Sequence, residues 1–461
     1  MALNRYVVRS TFVGALGGFL FGFDTAVISG ATAGLTHTFG LANVQWTLPL
    51  LHRAMPVSEL GVTVSIALWG TVLGALTAGT LGQRFGSREM LRVTAVLYVI
   101  SSLGCAFAPS WGLLLAARFL GGLGIGGSSV LGPVYIAELA PPKLRGRLVG
   151  TFQIMIVVGI LIAYLSNYLI GLMGFGAAEW RWQLGVAGAP ALIFFGLLFG
   201  IPRSSRWLVT QSRIDEAREV LELMGTPDSE AELAEIRESF HMELSQKSAS
   251  LFERAGGRLR YGKPIFLAIA IGAFNQLSGI NAILYYLNDI FAAAGFSRVS
   301  GNLQAVAIGA MNLVATLVGM TLIDRVGRKL LLLIGALGTA VCLGIVAFIF
   351  ATKQHQAALV WALVAYIAFF AISQGAVIWV YISEVFPTRV RGKGQSLGSG
   401  THWVMNAILS GVFPVIAARS GATPFVFFAA MMVVQFFVVL VLFPETKQIS
   451  LEELQRKLKI A

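Results

Sequence analysis

Tyr135 to Leu148 reads YIAELAPPKLRGRL, and Tyr381 to Gly394 reads YISEVFPTRVRGKG. Glu138 and Glu384, Arg145 and Arg391, and Gly146 and Gly392 all stand at the same offset of 246 residues. A second pair, GQRFGSREML from Gly82 and IDRVGRKLLL from Ile323, is displaced by 241. Repetition at so long a period is the mark of a duplicated half chain. Two parallel halves with a site between them near the bilayer midplane form the architecture of a rocking secondary transporter.

The rest of the chain supplies the spans such an architecture needs. Of 461 residues, 56% are hydrophobic and only 12% charged, and the mean hydropathy is +0.77. Lipid as solvent selects such values, and runs of about 20 apolar residues, enough for a hydrocarbon core of roughly 30 Å, recur along the sequence. The runs predict helices near 7–32, 58–81, 91–109, 111–138, 147–171, 183–201, 263–293, 301–323, 330–351, 357–384, 394–418 and 421–443. The expected fold is therefore an all-α membrane protein with twelve transmembrane helices.

Four domains follow: an N-terminal six-helix bundle over 1–201, a linker over 202–262, a C-terminal six-helix bundle over 263–443 and a tail over 444–461. The linker is charged, and its stretches RIDEAREVLELMG and DSEAELAEIRESFHMEL carry apolar residues at helical spacing, which predicts short amphipathic helices.

The net charge of +12 does not point to nucleic acid, because the basic residues sit in short clusters between apolar runs. With the N-terminus inside, 28 of the 34 Lys and Arg fall in cytoplasmic segments. That asymmetry places both termini in the cytoplasm. Cys105 and Cys342 lie in different spans and read as core residues. No phosphate loop, metal-spaced His and Cys cluster or catalytic constellation is present, so the reading is of a protein that is not an enzyme and has no cofactor. The glycines of GGLGIGG, Gly121 to Gly127, lie inside an apolar span and serve close helix approach.

Two ionisable residues stand well inside predicted spans, Asp24 in GFLFGFDTAVISG (Gly18 to Gly30) and Arg118. Each alone in lipid costs several kcal/mol, so the two are expected to approach one another. The pair is either a proton switch or a static ion pair fixing helix 1 against helix 4. At the cytoplasmic helix ends, Glu138 is paired with Arg145 and Arg147, Glu384 with Arg389 and Arg391, and Asp324 with Arg325 and Arg328. These are candidates for a gate, weighed against plain positive-inside anchoring.

Helix 7 carries NQLSGINAILYY, crowding Asn275, Gln276, Asn281, Tyr285 and Tyr286 into an otherwise apolar segment. Gln276 and Asn281 would point about 140° apart on a regular helix, but Gly279 between them permits a break that lets the two amides converge. Asn312, the pair His402 and Asn406, and the flat face of Trp379 add to the set. Amides and an aromatic plate without fixed charge suit a neutral polyhydroxylated ligand such as a monosaccharide. Singly, each amide reads equally as an interhelical hydrogen bond.

GFDTAVISG, RFLGGLGIGG followed by PVYIAELAPPKLRG, RSSRWL, NQLSGINAILYY, DRVGRK, ISEVFPTRVRG and PETK together resemble the sugar porter family of the major facilitator superfamily. The likeness runs over essentially the whole chain and is nearest to bacterial proton-coupled xylose and glucose symporters and facilitative glucose transporters. It implies two six-helix bundles plus an intracellular helical domain, alternating access, and a sugar site lined mainly by the C-terminal half. By motif, Phe21, Gln153, Asn275, Gln276, Asn281, Tyr285, Asn312, Trp379, His402 and Asn406 correspond to sugar-site positions, and Asp24 with Arg118 to the proton-coupling pair. Glu138, Arg145, Asp324, Arg325, Arg328, Glu384 and Arg391 make up the expected cytoplasmic gate.

This sequence departs from the family pattern at Asn275 in place of a glutamine, at His402 in place of an amide, at Ala376 in place of a proline, at Gln83 in place of an acid and at Arg203 in place of a glutamate. The function expected is proton-coupled import of a hexose or pentose, glucose favoured, by a monomer in the bacterial inner membrane. Its alternatives are a facilitative uniporter and a non-transporting sugar receptor.

Overall fold

The computed structural model describes residues 4–42, 47, 48, 53, 54, 57–141, 144–245, 250–255, 258–447, 449, 451–458 and 460. Twelve helices among them are long and apolar enough to cross a membrane. We number them span 1 (Arg5–Phe39), span 2 (Glu59–Phe85), span 3 (Ser87–Ala106), span 4 (Trp111–Leu139), span 5 (Arg145–Met173), span 6 (Gly176–Gly200), span 7 (Gly262–Tyr285), span 8 (Arg298–Val326), span 9 (Arg328–Thr352), span 10 (Ala358–Val385), span 11 (Arg391–Arg419) and span 12 (Thr423–Leu442). Between spans 6 and 7 lie shorter helices at Ser205–Thr210, Ile214–Leu223 and Ser229–Ser245, the latter two on the stretches whose spacing predicts them. Two antiparallel ladders of two residues per strand are the only strands among the described residues. Pro142 and Lys143, inside the first motif copy, lie outside those residues.

Local chemistry sets several helix starts. The hydroxyl of Ser110 accepts from the Leu113 amide at the head of span 4, Ser297 does the same for Ser300 at span 8, and Pro424 occupies the first turn of span 12. Large apolar side chains such as Trp361, Val441 and Leu76 point outward, while Ser29, Thr32, Thr71, Ser128 and Asn406 are buried. That inversion fits a chain whose solvent is hydrocarbon, where polar groups gain only by facing one another.

Close packing divides the chain into two units, and the division does not follow the duplication. The first unit contains Met1–Asp24, Gly70–Ile160 and Leu184–Ser248; the second contains Thr25–Trp69, Leu161–Gln183 and Ala249–Ala461. Spans 1, 2, 5 and 6 are thus each cut part-way along. Within the first unit span 3 packs on span 4; within the second, span 9 packs on spans 10 and 12, and span 7 on span 11.

The duplication is nonetheless visible in the bonding of each unit. Tyr135 donates to the Pro202 carbonyl at 2.7 Å, and Tyr381 to the Pro444 carbonyl at 3.1 Å. Gly86 and Gly327, one at each copy of the shorter repeat, share a backbone conformation, with φ 90° and 101°.

Candidate functional site

Helix 7 breaks where its glycine permits. The helix Gly262–Leu277 ends, Gly279 takes φ +84°, and a new helix runs over Ile280–Tyr285. The break turns Asn281 toward Gln276, so that Asn281 Nδ2 donates to Gln276 Oε1 at 3.3 Å across five residues. The Gln276 amide in turn donates to Asn275 Oδ1 at 3.1 Å and lies 3.3 Å from both ring nitrogens of His402 on span 11.

Around this hub, Trp379 meets the His402 ring at 5.2 Å between centroids and is itself only partly buried. One turn beyond His402, Asn406 donates to the Tyr285 hydroxyl at 3.2 Å and accepts from Ser410 at 3.1 Å. Asn312 is buried on span 8. The second unit therefore bonds Asn275, Asn281 and His402 to Gln276, sets Trp379 against the His402 ring, and joins Tyr285 to Asn406 one turn along span 11. Phe21 on span 1 and Gln153 on span 5, both half-buried, belong to the first unit.

Span 10 enters this region through a π-helical segment, Ala371–Gly375, directly before Ala376. The wider turn supplies an irregular joint without the proline that the family carries there. It also buries Gln374, whose Nε2 rests 3.3 Å from the Met432 sulfur while its Oε1 has no protein partner.

In the first unit, Arg118 is 4% exposed, and its charge acts on both Asp24 and Cys105. Asp24 also acts on Tyr98, whose hydroxyl is 2.9 Å from that of Ser128. Asp24 itself keeps partial exposure. The carboxyl and guanidinium expected to meet are thus in one polar nest formed by spans 1, 3 and 4.

The charged residues at the helix ends choose partners other than those their spacing suggests. Glu384 takes two bonds from Arg328, at 2.8 and 3.2 Å, and a third from Thr446 at 2.6 Å, in place of Arg389 and Arg391. Glu384 ends span 10 just before Pro387 turns the chain, so its side chain reaches across to span 9 instead of forward along its own strand of sequence. Arg328 also pairs with Asp324 at 3.0 Å, as the spacing suggests. Glu138 faces the Ser87 hydroxyl at 3.5 Å and feels Ser204 and Arg206, not Arg145 or Arg147. The Nε atoms of Arg145 and Arg391 are buried without a protein partner.

Several charged centres escape a reading by spacing. Glu89 collects Arg88, Arg92 at 2.7 Å and Arg203 at 3.2 Å, which gives the departure at Arg203 a partner. Glu445 accepts from the backbone amides of Arg328, Lys329, Thr446 and Lys447, all at 2.9–3.0 Å. Beyond Asp24, two further acids are drawn into the protein: Glu179, buried and bonded by Arg298 and Gln183, and Asp289, part-buried and bonded by Thr32. Asp289 lies three residues beyond the helix 7 motif, and only its sealed Oδ2 distinguishes it from a helix-end acid.

Comparison with known proteins places these features in a family. The family described as "Sugar (and other) transporter" matches residues 10–458. The glucose transport protein of Synechocystis is 34% identical over 98% of this chain and 97% of its own length. The D-xylose-proton symporter of Escherichia coli is 33% identical over 98% of this chain and 96% of its own. The inward-open structure of the xylose transporter XylE from E. coli superposes with a TM-score of 0.83 at 31% identity, covering 98% of this chain and all of that one. With the twelve spans, the duplicated halves and the amide set of helix 7, these likenesses identify the chain as a sugar transporter of the sugar porter family in the major facilitator superfamily.

Proposed function

We propose that this transporter imports a monosaccharide, glucose favoured, together with a proton across the bacterial inner membrane, working as a monomer with both termini in the cytoplasm. The observation that carries the reading is the nest in which Asp24 and Arg118 act on one another inside the first unit. A carboxyl beside a guanidinium can hold its charge, and losing that neighbour invites a proton. A moving span 1 therefore offers a coupling device.

The sugar would bind at Asn275, Gln276, Asn281, Tyr285, Asn312, Trp379, His402 and Asn406, with Phe21 and Gln153 completing the site. The amides supply paired donors and acceptors for hydroxyls, and Trp379 a flat apolar face for a pyranose ring. Glu138, Arg145, Asp324, Arg325, Arg328, Glu384 and Arg391 would close the cytoplasmic side. The glucose preference is supported by the triplet Gln276 to Ser278, which resembles glucose-selecting members, and by the cyanobacterial relative. Uptake into proteoliposomes under an imposed pH gradient tests the coupling. Asp24→Asn should abolish uphill accumulation while retaining counterflow exchange; accumulation indifferent to the gradient in the unsubstituted protein makes it a uniporter.

A further inference from the structure

Asp289, in the second unit, is a part-buried acid that the coupling scheme leaves unused. It sits in the short helix Leu287–Ala293 that continues helix 7, and its Oδ1 is 3.1 Å from the hydroxyl of Thr32 on span 1. Its Oδ2 is sealed from solvent and meets no protein partner. Thr32, only 1% exposed, is also 3.2 Å from the carbonyl of Ser29.

The hydroxyl of Thr32 has one proton and two acceptors. If Asp289 is ionised, Thr32 must choose between a carboxylate and its own helix carbonyl, and the negative charge is left with a single neutral donor. If Asp289 carries a proton, the carboxyl donates to Thr32, and Thr32 donates to Ser29. Both short contacts are then hydrogen bonds, in one continuous chain.

The charges around the site do not favour the ion. Among the described residues, no charged side chain acts on Asp289. Arg298, at the head of the adjoining span 8, is bonded to Glu179, and His37, farther along span 1, is exposed. A carboxylate with one oxygen sealed from water and neither a counter-ion nor a full set of donors is costly to keep ionised.

We infer that Asp289 is a second proton-binding site, distinct from Asp24, whose proton joins the end of span 1 to helix 7 through Thr32 and so holds that side of the transporter shut. With the topology proposed above, this is the external side, and the inference rests on that reading. Deprotonation leaves an unpaired charge that is relieved only by water entering between span 1 and helix 7, which opens the clasp.

Infrared difference spectra of the purified protein at neutral pH, compared with those of Asp289→Asn, test the proton directly. The expected result is a protonated-carboxyl band that disappears in Asp289→Asn and moves in Thr32→Val, which removes the bonding partner while keeping the shape. Equal carboxyl bands in the unsubstituted protein and Asp289→Asn, or a band that does not move in Thr32→Val, overturn it.

Counterflow exchange measured in an Asp24→Asn background supplies the functional readout. There, the return to the closed state should slow by about tenfold for each pH unit above the titration point of the remaining acid. Adding Asp289→Asn, which stays neutral, should remove that alkaline limb; a limb unchanged by the second substitution overturns the clasp. The gradient experiment on Asp24→Asn alone reports on the coupling role of Asp24, so the two readings fail separately.

Discussion

Asn281 donates to Gln276 across the left-handed turn at Gly279, although a continuous helix would send the two side chains to opposite faces. The contact exists because one residue adopts φ +84° at no steric cost. It joins the broken helix to span 11 through the Gln276 amide and His402.

Gly279→Ala should therefore disable the site without dismantling the bundle. A side chain in the left-handed region costs about 1–2 kcal/mol, and the added methyl would overlap the Phe428 ring. Straightening of the helix would separate the two amides. Sugar binding is expected to weaken by roughly tenfold or more, at about 1.4 kcal/mol per tenfold, as measured by isothermal titration with glucose and xylose.

Arg328 is the anchor of the charged cluster at the ends of spans 9 and 10. It is nearly buried and serves Glu384 and Asp324 together. Arg328→Ala strands the Glu384 carboxylate and should cost about 3 kcal/mol, a typical loss for one partner of a buried pair. Glu384→Gln keeps an acceptor for Arg328 and Thr446, so its thermal unfolding temperature should fall by less. The reverse ranking would show that Thr446 and not Arg328 carries the contact.

Glu445 gives stability a dependence on acid. Burial alone would push its carboxyl up, but the amides of Lys447, Arg328, Lys329 and Thr446 outweigh that and hold it below the usual carboxylate range. A group depressed in the folded state stabilises the fold above its unfolded value of about 4.3, and that contribution is lost as pH falls through the folded value. Glu445→Gln should unfold at a lower temperature than the unsubstituted protein at neutral pH. The gap should narrow in acid, and detergent-based thermal scans across pH will register it.

The number of spans, their approximate limits, the duplication and the family were all legible in the order of residues. Hydrophobic length, the 246-residue offset and the motif set are all local or periodic signals that survive without coordinates. The order of residues also marked Gly279 as the place where helix 7 could break, since only glycine occupies that backbone region freely.

Who bonds to whom became legible with the packing of the helices. Glu384 turned to Arg328, Glu138 to Ser87, and Arg203 to Glu89, because a charged side chain at a helix end can reach several neighbouring elements, and sequence spacing cannot rank them. The same limit hid Asp289. Its letter is that of an ordinary helix-end acid, and nothing but the packing of Thr32 against it shows that one of its oxygens is sealed away from water.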